Sequence, residues 1–146
     1  MAGYNTPTEL ETALRRGCTK IWRAQGTVLF RRGDKARGMF IVLSGSVNLD
    51  FGVDGSLAIN RSYGPGALVG LPATLTKRAY SMTATVGENA ELGLWSPEAL
   101  QLLLRQRPEL CRQLLAVLGE RLSENQHTAK SLLRRGSPQS QQSGVA

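Results

Sequence analysis

Glycine recurs at positions 26, 33, 38, 45, 52, 55, 64, 66, 70, 87 and 93, and most of the pieces between are short and rich in β-branched and aromatic residues. A glycine inside a helix costs about 1 kcal/mol relative to alanine. The same residue takes sharp turns between strands that a side chain would obstruct. The rhythm therefore confines residues 20–95 to short strands joined by turns, the pattern of a compact all-β barrel or roll.

Individual strands can be read from it. "MFIVLSG" (39–45) is a buried run closed by glycine, and "SVNLDFGV" (46–53) places Val47, Leu49, Phe51 and Val53 on one face with Asn48 and Asp50 on the other. Asp54-Gly55 suits a two-residue hairpin turn, after which "SLAINRSY" returns with Leu57 and Ile59 inward. "YSMTATV" and "ELGLW" are two further strands around a "GEN" turn, which makes about eight strands in all.

Helices flank this region. Residues 8–17 read as one short amphipathic helix, capped by Thr8 with Glu11 and closed by Gly17. Ser96-Pro97-Glu98 is a cap, a first-turn proline and an acid at the positive helix end. Pro108 starts a second C-terminal helix, because proline disfavours helix in the residue before it. That helix carries Leu110, Leu114 and Val117 beside a neighbouring stripe of Cys111, Leu115, Leu118 and Leu122, a face too wide for one contact. Leu110, Leu114, Val117, Leu118 and Leu122 are the residues expected to pair two chains into a homodimer. The organisation expected is a single domain over 1–130, with helices over 96–130 and a polar, flexible tail over 131–146.

"GTVLFRRGDKARGMFIVLSGSV" (26–47) resembles the glycine-punctuated strand pair that opens cyclic nucleotide-binding domains of the Crp/Fnr type, through Gly26, Gly33-Asp34, the run Phe40 to Leu43, Gly45 and Val47. The likeness extends over about residues 8–130. It implies a mainly β, jelly-roll-like double-stranded β-roll with a long C-terminal helix. In that family a glycine, a glutamate for the ribose, a short helix and an arginine for the cyclic phosphate form the ligand cassette. An ionised acceptor holds the sugar, while helix-start amides and a guanidinium hold the anion.

The cassette maps onto "GLPATLTKRAYS", with Gly70 at the glycine, Leu71 at the glutamate and Tyr80 at the arginine. Hydrogen bonds to charged groups contribute about 1.5–3 kcal/mol each, so losing two removes roughly 3–6 kcal/mol. That weakens binding by roughly 100-fold to 10,000-fold. Arg78, on the same strand face two residues earlier, is the candidate replacement cation. Leu71, Pro72 and Ala73 either line a more apolar cavity, with the Tyr80 and Ser81 hydroxyls as polar handles, or start a helix and fill an unused pocket.

Function follows in three alternatives. The first is a stand-alone regulatory module sensing a cyclic nucleotide or another small anion through an altered pocket. The second is a ligand-free dimerisation or protein-interaction scaffold, and the third a basic polyanion binder, suggested by the net charge of +7. The bases are scattered and no helix-turn-helix follows the long helix, so no sequence-specific DNA binding is expected. Cys18 and Cys111 fall in no metal or redox spacing, and His127 is far from any nucleophile motif. No cofactor, metal, catalysis or membrane contact is expected, in a cytoplasmic protein.

Overall fold

The computed structural model describes residues 7–50 and 60–119. In chain order these form α1 (Thr8–Gly17), β1 (Thr19–Arg23), β2 (Val28–Phe30), β3 (Met39–Asp50), β4 (Asn60–Tyr63), β5 (Leu68–Val69), α2 (Leu71–Thr76), β6 (Thr83–Trp95) and α3 (Pro97–Gln106). A further helix, α4, covers 108–119. The sheet is antiparallel with order β1-β6-β3-β4; β2 also pairs with β6 and β5 with β3. This is the β-roll with flanking helices.

β3 and β6 are the spine, paired from Met39↔Trp95 to Asp50↔Thr83. The sequence divides each at a glycine, but both run straight through, leaving six strands among the described residues. The reason lies at Gly45, where φ is +79° and the register against β6 shifts around Ser44 to Val47. A bulge absorbs the extra residue and bends the strand without ending it. A Cβ at Gly45 would run into the carbonyl oxygen of Asn89 across the pair. Phe51, Val53, the Asp54-Gly55 turn, Leu57 and Ile59 lie outside the described residues, as do Leu122, His127 and the tail.

Alternation along the paired strands sends Val47, Leu49, Tyr63, Ala84 and Val86 into the roll, where they join Phe30, Phe40 and Met82. A second apolar layer lies between the roll and the helices, built from Leu10, Leu14, Met39, Ile41, Trp95 and Leu100 among others. Trp95 ties the end of β6 to α1. Its indole N–H donates to the Leu14 carbonyl at 3.0 Å, and its ring lies where a Cβ on Gly17 would be 2.5 Å from Cη2.

The helix ends show one agreement and one difference. Ser96 caps α3, its hydroxyl accepting from the Ala99 N–H at 3.1 Å. Thr8 does not cap α1: Pro7 occupies the cap, with no side-chain bond, and its carbonyl accepts from the Glu11 N–H at 2.9 Å. The fixed proline φ already sets the entry to the helix, and the Glu11 carboxylate turns to Arg15 Nε at 2.8 Å. At the far side Gln113 Nε2 donates to Glu9 Oε1 at 2.7 Å, joining α1 to α4. Arg107 bridges Glu9 at 3.4 Å and Glu109 at 2.9 Å. A backbone hydrogen bond and the Arg107 side chain hold the Glu109 carboxyl below its ordinary pKa.

Candidate functional site

Gly70 closes β5 and opens α2, with φ +82°. Pro72 sits in the first turn, and the helix ends at Lys77 in the left-handed region. The chain then runs past Arg78 to Tyr80, stapled back by the Arg78 N–H to the Ala73 carbonyl at 3.0 Å. A Cβ on Gly70 would lie 3.1 Å from Tyr80 Cε1, 3.3 Å from the Gly38 carbonyl and 3.4 Å from Phe30 Cε2. Three segments distant in sequence therefore meet at the start of the cassette helix.

Tyr80 is the centre of that meeting. It is 5% exposed, and its ring stacks on Phe30 with centroids 3.7 Å apart and 12° between planes. The phenol donates to the Gly38 carbonyl at 2.6 Å and accepts from the N–H groups of Arg37 at 3.0 Å and Gly38 at 3.2 Å. One donor and two acceptor positions are all that a phenol has, so the hydroxyl taken from sequence as a ligand handle is used within the fold. Backbone bonds extend the join: Gly33 N–H to Tyr80 carbonyl and Tyr80 N–H to Asp34 carbonyl, each 2.9 Å, and Ala36 N–H to Arg78 carbonyl at 3.1 Å.

The other candidates do not converge on one cavity. Leu71 is fully buried in the layer between roll and helices, beside residues such as Leu68 and Leu100. Ala73 belongs to the roll interior instead. Pro72 is half-buried and Arg78 exposed. Ser81 is half-buried, its hydroxyl reaching the Met82 sulfur at 3.9 Å. Thr74, not singled out in the sequence, is buried and bonds back to the Gly70 carbonyl at 2.8 Å.

On α4, Leu110, Leu114 and Val117 are buried against their own chain and cannot also face a second one. The stripe turned outward contains Leu115, 56% exposed, with half-buried Cys111 and Leu118.

A cavity of about 530 Å³ opens on the Phe30 side of Tyr80. Tyr80 is the single sequence-derived candidate among its walls, which otherwise come from β1, β2, the 34–38 segment, β3 and β6. Sequence reasoning missed Phe30 and Gly38, the partners that decide the fate of Tyr80. The one signal for the cavity was the run "RRGDKAR" (31–37), four bases around a single acid.

Comparison with known proteins places this arrangement. The model of the family described as "Cyclic nucleotide-binding domain" matches residues 21–107. The cyclic AMP receptor protein of Thermus thermophilus is 31% identical over 122 residues, which cover 81% of this chain and 55% of that protein. The mouse (Mus musculus) patatin-like phospholipase domain-containing protein 7 is 34% identical over 98 residues, 66% of this chain and 7% of that protein. The crystal structure of the Thermus thermophilus catabolite activator protein superposes with a TM-score of 0.75 at 25% identity, covering 89% of this chain and 69% of that one. The chain thus spans about half, or a small fraction, of the curated relatives it matches.

Proposed function

The chain belongs to the cyclic nucleotide-binding domain family, of the Crp/Fnr type, and from that premise we propose that it is a non-catalytic regulatory member that does not respond to cyclic AMP. The observation that carries this is Tyr80. Where the resemblance assigns a phosphate-binding arginine, a stacked phenol spends its hydroxyl on Gly38 and Arg37. Leu71, at the glutamate position, is buried in the layer that faces the helices. Arg78, the cation nearest in sequence, is exposed.

Isothermal titration with cyclic AMP, cyclic GMP and cyclic di-GMP tests the reading. The expected result is no saturable heat from any of them. Micromolar binding of one would mean that Arg78 or backbone amides replace the missing anchors, and the reading would fall.

The outward stripe of α4 favours a companion role as an interaction scaffold that pairs two chains in the cytoplasm. Leu115 is more than half exposed, as is Leu102 on α3. Sedimentation equilibrium of the wild type should give a dimer, and Leu115→Asp with Leu118→Asp a monomer. A wild type that remains monomeric removes the pairing role.

A further inference from the structure

We propose that the cavity on the Phe30 side of Tyr80 is a binding site for an amphipathic anion: a carboxylate or phosphate head carried on an apolar tail. Its volume of about 530 Å³ lies within the range of small-molecule sites, roughly 300–1,000 Å³. The floor is apolar, formed by Ile21, Leu29, Phe30, Phe40 and Leu94. Ile21, Leu29 and Leu94 are only partly buried, so a tail laid on them removes apolar surface from water.

The rim has the opposite character. Arg23, Lys35 and Arg37 line it and are exposed, against one acid, Asp34. That acid is turned to local use, since its Oδ2 accepts from the Arg31 N–H at 3.1 Å and shapes the loop. Three cations around an apolar floor attract an anionic head and repel a cationic one.

The loop that carries Lys35 and Arg37 is also held in place. Six hydrogen bonds join Gly33, Asp34, Ala36, Arg37 and Gly38 to Arg78 and Tyr80, so little backbone ordering remains to be lost on binding. Tyr80 belongs to the cassette and also forms part of this cavity's wall, and it is the single cassette residue among the lining. The existence of the site does not depend on whether a cyclic nucleotide binds at the cassette.

The test uses the whole chain with methyl groups labelled for NMR and four probes of one tail length: octanoate, octyl phosphate, octanol and octylammonium. Octanoate or octyl phosphate should shift the methyls of Ile21, Leu29 and Leu94 saturably. Response to one of the two alone identifies the head as carboxylate or phosphate. Octanol should bind about tenfold more weakly or worse, and octylammonium not at all. The double variant Lys35→Gln/Arg37→Gln alters exposed side chains only and should melt with the wild type, while losing affinity for the anions about tenfold or more.

Equal binding of all four head groups, unchanged affinity in the double variant, or no saturable shift at these methyls would overturn the proposal. Cyclic-nucleotide heat that persists in the double variant would overturn the cassette reading alone, so the two can fail separately.

Discussion

Leu71→Glu is expected to leave the domain largely unfolded at neutral pH and to bring back no ligand. The substitution returns the residue that the family cassette carries, but Leu71 has no exposed surface and packs between the roll and the helices. Removing a buried leucine costs about 2–5 kcal/mol, and an unpaired buried carboxylate costs several more. Total stabilities of domains are only about 5–15 kcal/mol. The pH dependence has a fixed sign. Burial raises the folded-state pKa of the new carboxyl above its unfolded value of about 4.3. The penalty is therefore smallest below a pH of about 4.3 and grows as pH rises toward the folded pKa. Urea unfolding across the range from acidic to neutral pH reads this directly. A variant that is stable at neutral pH and takes up cyclic AMP would show that residue 71 can turn into the roll.

Gly45→Ala should lower stability by about 3–5 kcal/mol, a fall in Tm of roughly 10 °C or more. Two costs coincide there. The backbone has φ +79°, and the added methyl meets the Asn89 carbonyl oxygen and the Ala90 Cα, the latter at 2.8 Å. Both obstacles are backbone, so the β3–β6 pairing must open to relieve them. Gly26 is the control, because it shares the positive φ at +88° but has nothing within 4 Å of the place an added methyl would take. Gly26→Ala should cost only the conformational term, about 1–2 kcal/mol. Thermal melts of the two variants decide it, and equal losses would mean that crowding at the bulge contributes nothing.

The pair also marks what could be read from the sequence. Glycine spacing and two-residue alternation are local, and they located the roll, the inward Val47 and Leu49, and the Ser96 cap. The continuity of β3 through Gly45 was hidden, since a glycine that bends a strand and one that ends it look alike until the partner strand is known. Tyr80 was legible as a missing arginine. Its engagement was not, because the stack on Phe30 and the bonds to Gly38 join positions far apart in the chain. Leu71 could be recognised as apolar, but which of two apolar layers receives it depends on how α2 lies on the roll. The wide stripe on α4 was visible, and only packing separates its buried Leu110 and Leu114 from its exposed Leu115.

β6 is the last of the described strands along the chain and yet lies in the middle of the sheet, bonded to β1, β2 and β3. During synthesis β3 can pair with β4 and β5 as they emerge, but β1 and β2 have no strand partner among the described residues until residues 83–95 arrive. Such distant pairings make folding slow, because the loop-closure entropy is spent before the contacts form. The Trp95 bond to Leu14, 81 residues back along the chain, can form only as that closing strand is laid down. A nascent chain arrested before residue 83 should therefore stay protease-sensitive, and one released past Trp95 should acquire the sheet and the docked α1 in a single step.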